Sequence, residues 1–252
     1  MMVSSTIAPE SVATDAGLEA KVQRILIWLG PLMLLLWLVA FSAAGFLPPH
    51  RPSATSDQIA DIYNAHPTLI RVMLVITMAA SALLVPWCVA IAGQIRRIPG
   101  ARALATVQMI SCSLLSLEFI YPVGIWMANS FRADDRPADV TRALNDVGWI
   151  LFVLVIWSVW IQMLAIAAAV LLDRKAEPIL PHWLGYLSLW VALIIVPAGL
   201  VLFFKTGPWA WNGLVGFWIP LCALVSWMLA MTWTVHQALT KQIAEGSEPG
   251  YT

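Results

Sequence analysis

Residues 147–172, VGWILFVLVIWSVWIQMLAIAAAVLL, run for 26 positions without an acidic, basic or histidine residue. A helix apolar on every face belongs either in the core of a large protein or in a membrane, and 252 residues do not make so large a core. At a rise of about 1.5 Å per residue the run reaches about 39 Å, enough to cross a hydrocarbon layer of about 30 Å. The stretch reads as a membrane span.

Comparable runs lie near 25–47, 68–95, 103–128, 183–204 and 213–235, joined by short polar segments. Hydrophobic residues make up 60% of the chain and charged ones 11%, against about 45–50% and about 25% in soluble domains. The expected fold is all-α: a polytopic transmembrane bundle of six helices over 24–238, between flexible tails at 1–23 and 239–252. The opening segment MMVSSTIAPESVATDAGLEAKVQ lacks the basic region of a cleaved signal, so the first run is expected to remain as a helix. A net charge of zero removes the main electrostatic reason to expect nucleic acid as a partner.

Lys and Arg set the orientation. Eight of them (Lys21, Arg24, Arg96, Arg97, Arg102, Arg174, Lys175, Lys241) fall on the side of both termini and six on the other. That bias places both termini in the cytoplasm. In the first outer loop Thr55 and Gln58 match a capping box, and Ile59, Ile62 and Tyr63 follow at helical spacing before Pro67. A short outer interfacial helix over 56–65 is expected. In the second, Val140, Leu144 and Val147 follow Pro137 at helical spacing, so the fourth helix starts ahead of its apolar run. Trp28, Trp126, Trp149, Trp183, Trp209, Trp211 and Trp233 fall near span ends, where indoles favour the headgroup region. Cys88, Cys112 and Cys222 all lie inside apolar runs and read as small buried hydrophobes.

Glu118 is the one acidic residue well inside an expected span. A carboxylate at that depth is costly unless protonated, paired or wetted, which makes it the leading candidate for a site. Gln108, Ser111 and Glu118 share a helical stripe that Tyr121 continues, Ser158 and Gln162 stand as partners on the fourth span, and His66 offers an acid-base group at the outer interface. The competing account is that Glu118 ties helices together through Ser158 or Gln162. Pro122, Pro197 and Pro220 fall in the same half as Glu118, and prolines free backbone carbonyls where helices line cavities. A pocket in the outer half follows as an expectation. No zinc-protease, paired-cysteine or nucleophile-elbow motif is present, and no cofactor is assigned.

Leu180-Pro181-His182-Trp183-Leu184-Gly185 and Thr206-Gly207-Pro208-Trp209-Ala210-Trp211-Asn212-Gly213 resemble segments of uncharacterised six-helix bacterial membrane proteins. The resemblance implies a bacterial cytoplasmic membrane and carries no catalytic residue. The expected function is binding or transport of a small or lipophilic molecule through the outer-half pocket. The alternatives are a non-catalytic subunit or assembly factor and an intramembrane enzyme on a lipid-like substrate. The lipid bilayer is the expected partner, with a second copy or another membrane protein as further partners.

Overall fold

The computed structural model describes residues 9–154 and 156–245, and all regular structure among them is helical. The helices are α1 (Pro9–Leu26), α2 (Leu29–Ala43), α3 (Ser56–Ala65), α4 (Pro67–Ser81) and α5 (Leu84–Arg96). There follow α6 (Arg102–Phe131), α7 (Ala138–Val153), α8 (Ile156–Leu172), α9 (His182–Ile195) and α10 (Ile219–Glu245). A 3-10 segment, Val196–Phe203, extends α9, and a π-helical segment, Leu214–Trp218, precedes α10. Six stretches are long and apolar enough to cross a membrane: Gly17–Ala43, Pro67–Arg96, Arg102–Phe131, Ala138–Leu172, His182–Phe203 and Leu214–Glu245. The six-helix bundle expected from hydropathy is therefore present.

Each span packs on the next, and α10 returns to α1 and α2, so the six form a closed up-and-down ring. An even number of crossings puts both ends of the bundle sequence at one face, here called the terminal end. The opposite face, the loop end, carries α3.

Prolines mark where the spans bend. Pro31 and Pro86 follow turns at residues 27–28 and 82–83, Pro197 opens the 3-10 segment, and Pro220 follows the π segment. Each removes the donor for a carbonyl four residues back, and the local helix readjusts around that loss. Pro122 lies inside α6, which runs on through it.

Three buried indoles find hydroxyl partners across the ring, while the Nε1 of buried Trp149 has none among the described residues. Trp37 donates to Ser81 Oγ at 3.1 Å, Trp87 to Thr232 Oγ1 at 2.9 Å and Trp227 to Ser188 Oγ at 2.9 Å. An indole N–H left unpaired in the bundle would be costly, so these bonds fix which faces meet. At the loop end Arg71 donates to the carbonyls of Ser130 and Phe131, tying α4 to the end of α6.

Helix α3 starts where its capping box places it: Gln58 N bonds Thr55 Oγ1 at 3.3 Å and Thr55 N bonds Gln58 Oε1 at 3.0 Å. Ile59 and Tyr63 are buried, and the helix packs on α7. Its apolar stripe faces the bundle.

Three expectations need correction. The described part of the 1–23 tail is helical, because Leu18, Glu19, Ala20 and Lys21 are good helix formers and Ala20 and Gln23 are buried where α1 packs on α5 and α10. Likewise α10 continues to Glu245 with Leu239 fully buried; residues 1–8 and 246–252 of the two expected tails lie outside the described residues. Trp126, Trp149 and Trp211 are core residues, whereas Trp28, Trp183 and Trp233 are exposed on the periphery. Proximity to a span end does not say which way a side chain faces, and Gly148 leaves the room that the Trp126 indole occupies. Finally, Cys88 and Cys112 form a disulfide, with Cα atoms 6.3 Å apart, and Cys222 is exposed. The two paired cysteines stand symmetrically about the tight turn at Gly100 that joins α5 to α6, so an antiparallel hairpin brings them level.

Candidate functional site

In the half of the bundle nearer the loop end, a cavity of about 510 Å³ lies among α2, α6, α7, α8, α9 and α10. Trp37, Phe119, Phe152, Ile156, Phe217 and Leu224 represent its walls, and no charged side chain lines it. Exposed residues of two helices form its rim: Leu35 and Leu38 on α2, Cys222 and Leu229 on α10. The cavity thus opens sideways between the first and sixth spans, toward the hydrocarbon layer. Near the terminal end α10 packs on α1.

The walls are held by aromatic packing and by helix irregularity. Trp37 stacks on Phe152 with centroids 5.3 Å apart and ring planes 8° apart. Phe41, Trp126, Trp149 and Phe217 join the same aromatic layer. The π segment packs against the 3-10 segment, and a Cβ on Gly216 would land on the carbonyl of Ala210. Residue 216 must therefore lack a side chain for the connection before α10 to close.

Beyond the aromatic layer, at the loop end, lies a buried polar cluster. His50 Nδ1 sits 2.7 Å from Asn145 Oδ1 and Nε2 3.1 Å from Gly45 O, while Tyr63 donates to Asn145 Oδ1 at 3.3 Å. Trp211 donates to the His50 carbonyl at 2.7 Å. Burial pushes the His50 imidazole below its ordinary value, opposed by its bonds to Asn145 and Gly45, and burial pushes the Tyr63 phenol up. The cluster joins the 44–51 connection, α3, α7 and the 204–213 connection. It roofs the cavity and stands apart from its lining.

The residues singled out from sequence do not converge. Glu118 is half-buried between α6 and α8, where Ser158 Oγ donates to its carboxyl. Its neighbours Leu115 and Phe119 turn into the cavity, and Glu118 does not line it. Tyr121 is 62% exposed on the periphery. Ser111 is buried in α6, and Gln108 is fully buried there with neither amide atom bonded. Gln162 directs Nε2 at Cys88 Sγ, 3.7 Å away, and leaves Oε1 unpaired. His66 is exposed at the start of α4. Of these six, Gln162 is the one with a hydrogen bond to a disulfide sulfur among the described residues, and none is among the lining residues.

Sequence reasoning missed Gly216, Phe217, Ser226 and Trp37. Pro220 was the available signal, since it marked irregular backbone in this half. Ser226 sat in a stripe of small residues (Ala223, Ser226, Ala230, Thr234) that reads as packing, yet it lines the cavity. No protein-family model, curated protein or solved structure matches the chain.

Proposed function

We propose that this integral membrane protein binds a lipophilic molecule from the bilayer, taking its hydrocarbon chain into the lateral cavity. The observation that carries this reading is the cavity itself: about 510 Å³, within the usual range of about 300–1,000 Å³ for ligand sites, and open between α2 and α10. An occupant arriving from lipid crosses no polar barrier there, and one arriving from water would have to pass the roof of buried aromatic and polar side chains. The enzyme alternative required a second titratable group beside Glu118, and the partner found there is Ser158. The bias of Lys and Arg supports a cytoplasmic placement of the terminal end, and the resemblance to bacterial six-helix proteins supports a bacterial cytoplasmic membrane.

A fatty-acyl probe carrying a chain-terminal diazirine, photolysed in reconstituted membranes, tests the proposal. Labelling is expected on lining residues of α2 and α10, and Leu224→Trp, which fills the cavity, is expected to suppress it. Labels spread evenly over the lipid-facing surface, with no effect of Leu224→Trp, would overturn it.

A further inference from the structure

A second, smaller recess lies at the terminal end, apart from the lateral cavity. It holds about 210 Å³ and is enclosed by the end of α5, the connection between α8 and α9, and the last turns of α10. Arg97, Lys175 and Lys241 line it with Glu177 and Glu245, three cations against two carboxylates. Ile179 and Ala238, which pack against the core, give it an apolar floor. Arg97 is the first residue after α5 and Lys175 the third after α8, so the recess stands where spans leave the hydrocarbon layer.

The cations differ in what they meet. Lys241 pairs with Glu177. Arg97, half-buried, and Lys175, exposed, form no ion pair among the described residues, and Glu245 acts on Arg97 only from beyond ion-pair distance. Both are nevertheless set in position by buried polar groups. Arg97 Nη1 donates to Gln94 Oε1 at 2.6 Å, and Gln94 Nε2 donates in turn to Gln23 Oε1 at 3.2 Å and Gln242 Oε1 at 3.0 Å. The guanidinium thus stands on an amide network that joins α1, α5 and α10. The backbone bearing Lys175 is fixed by the buried Asp173 carboxylate, which accepts from Lys175 N at 3.3 Å and Ile179 N at 2.9 Å, while His182 Nε2 donates to the Asp173 carbonyl at 2.7 Å. Groups placed before a ligand arrives lose less freedom when they bind it.

We propose that this recess binds the phosphate of an anionic lipid headgroup, received by Arg97 and Lys175 while its glycerol carbons rest on Ile179 and Ala238. A guanidinium and an ammonium are the groups that replace the hydration a phosphate gives up. The apolar floor offers burial to the carbons of a lipid and nothing to a free phosphate. Basic pockets between spans at the cytoplasmic surface hold anionic headgroups in this manner. The volume falls below the range of about 300–1,000 Å³ for drug-sized ligands, which suits a headgroup and not a nucleotide. A choline head would bring a further cation to a rim already in positive excess. The site is independent of chain binding in the lateral cavity.

Native mass spectrometry of the full chain in detergent, titrated with phosphatidylglycerol or phosphatidylcholine, tests the assignment. Phosphatidylglycerol is expected to be retained about tenfold more tightly, the worth of one charge-assisted hydrogen bond. Arg97→Gln and Lys175→Gln should each bring its affinity toward that of phosphatidylcholine, and added salt should do the same. Arg102→Gln removes an exposed cation of the same end outside the recess and should leave retention unchanged, as should Leu224→Trp in the lateral cavity. Lys175 is exposed and its side chain bonds nothing among the described residues, so Lys175→Gln keeps the fold and decides the matter should Arg97→Gln fail to fold. Equal affinity for the two lipids, or an equal loss in Arg102→Gln, would overturn the site. Loss of retention in Leu224→Trp would place the lipid in the lateral cavity and overturn it as well. Displacement of the lipid by inorganic phosphate at equal concentration would overturn the lipid as the source of the anion.

Discussion

The Ser158 hydroxyl donates to the Glu118 carboxyl across the α6–α8 interface, beside the cavity wall formed by Leu115 and Phe119 and outside its lining. This pair is a tie between two helices. Glu118→Gln keeps a hydrogen-bonding group for Ser158, so detergent melting and probe labelling are expected to match wild type. Glu118→Leu strands the hydroxyl and is expected to cost about 1 kcal/mol of stability while labelling persists. Loss of labelling in a stably folded Glu118→Gln protein would return the carboxyl to a functional role.

Gly148 and Trp126 make the second test. A Cβ at residue 148 would collide with the Trp126 indole, which is fully buried and bonds the Asn145 carbonyl at 3.4 Å. Gly148→Ala is therefore expected to destabilise by about 1–3 kcal/mol, the range for overpacked cores. Gly124→Ala is the control, since its nearest neighbour would be Met78 Cε at 3.6 Å. There the gain in helix propensity, about 0.5–1 kcal/mol, meets no clash and should leave the protein as stable or more so. Thermal melting of the two variants in detergent reads both outcomes.

His50 gives the protein a pH dependence with a definite sign. Burial holds its imidazole below the ordinary value of 6.5, so at acidic pH the unfolded chain takes up a proton that the folded one refuses. Stability from this residue is whole above about 6.5 and declines as pH falls below it toward the depressed folded value. Melting temperature in detergent should drop between pH of about 7 and about 5, and His50→Gln should flatten that slope. An unchanged slope in the variant would show that another group sets it.

Orientation is read by single cysteines at Ser53, Asp134 and Ala176, all exposed, placed in a background lacking Cys222. With the terminal end in the cytoplasm, an impermeant maleimide on intact cells should label positions 53 and 134 and spare 176. The reverse pattern would invert the protein in its membrane.

Much of the architecture was legible in the sequence because it depends on properties that add up along the chain. Hydropathy sums over a run of residues, so six spans could be counted from 147–172 outward, and a cap is a contact between near neighbours, so Thr55 and Gln58 announced α3. Proline's missing N–H is equally local, and Pro31, Pro86, Pro197 and Pro220 each marked a bend. Facing is a different matter. In a membrane the side of a helix toward lipid and the side toward the core are both apolar, so periodicity does not tell Leu35 on the rim of the cavity from Met33 deeper in its wall, nor the buried Trp126 from the exposed Trp28. Only the rotation of each helix against its neighbours decided that Glu118 meets Ser158 outside the cavity, that Cys88 meets Cys112, and that α2 and α10 leave a gap between them. That rotation follows from steric fit and paired hydrogen bonds, Trp87 with Thr232 and Gly148 with Trp126 among them, and these are relations between residues far apart in the chain.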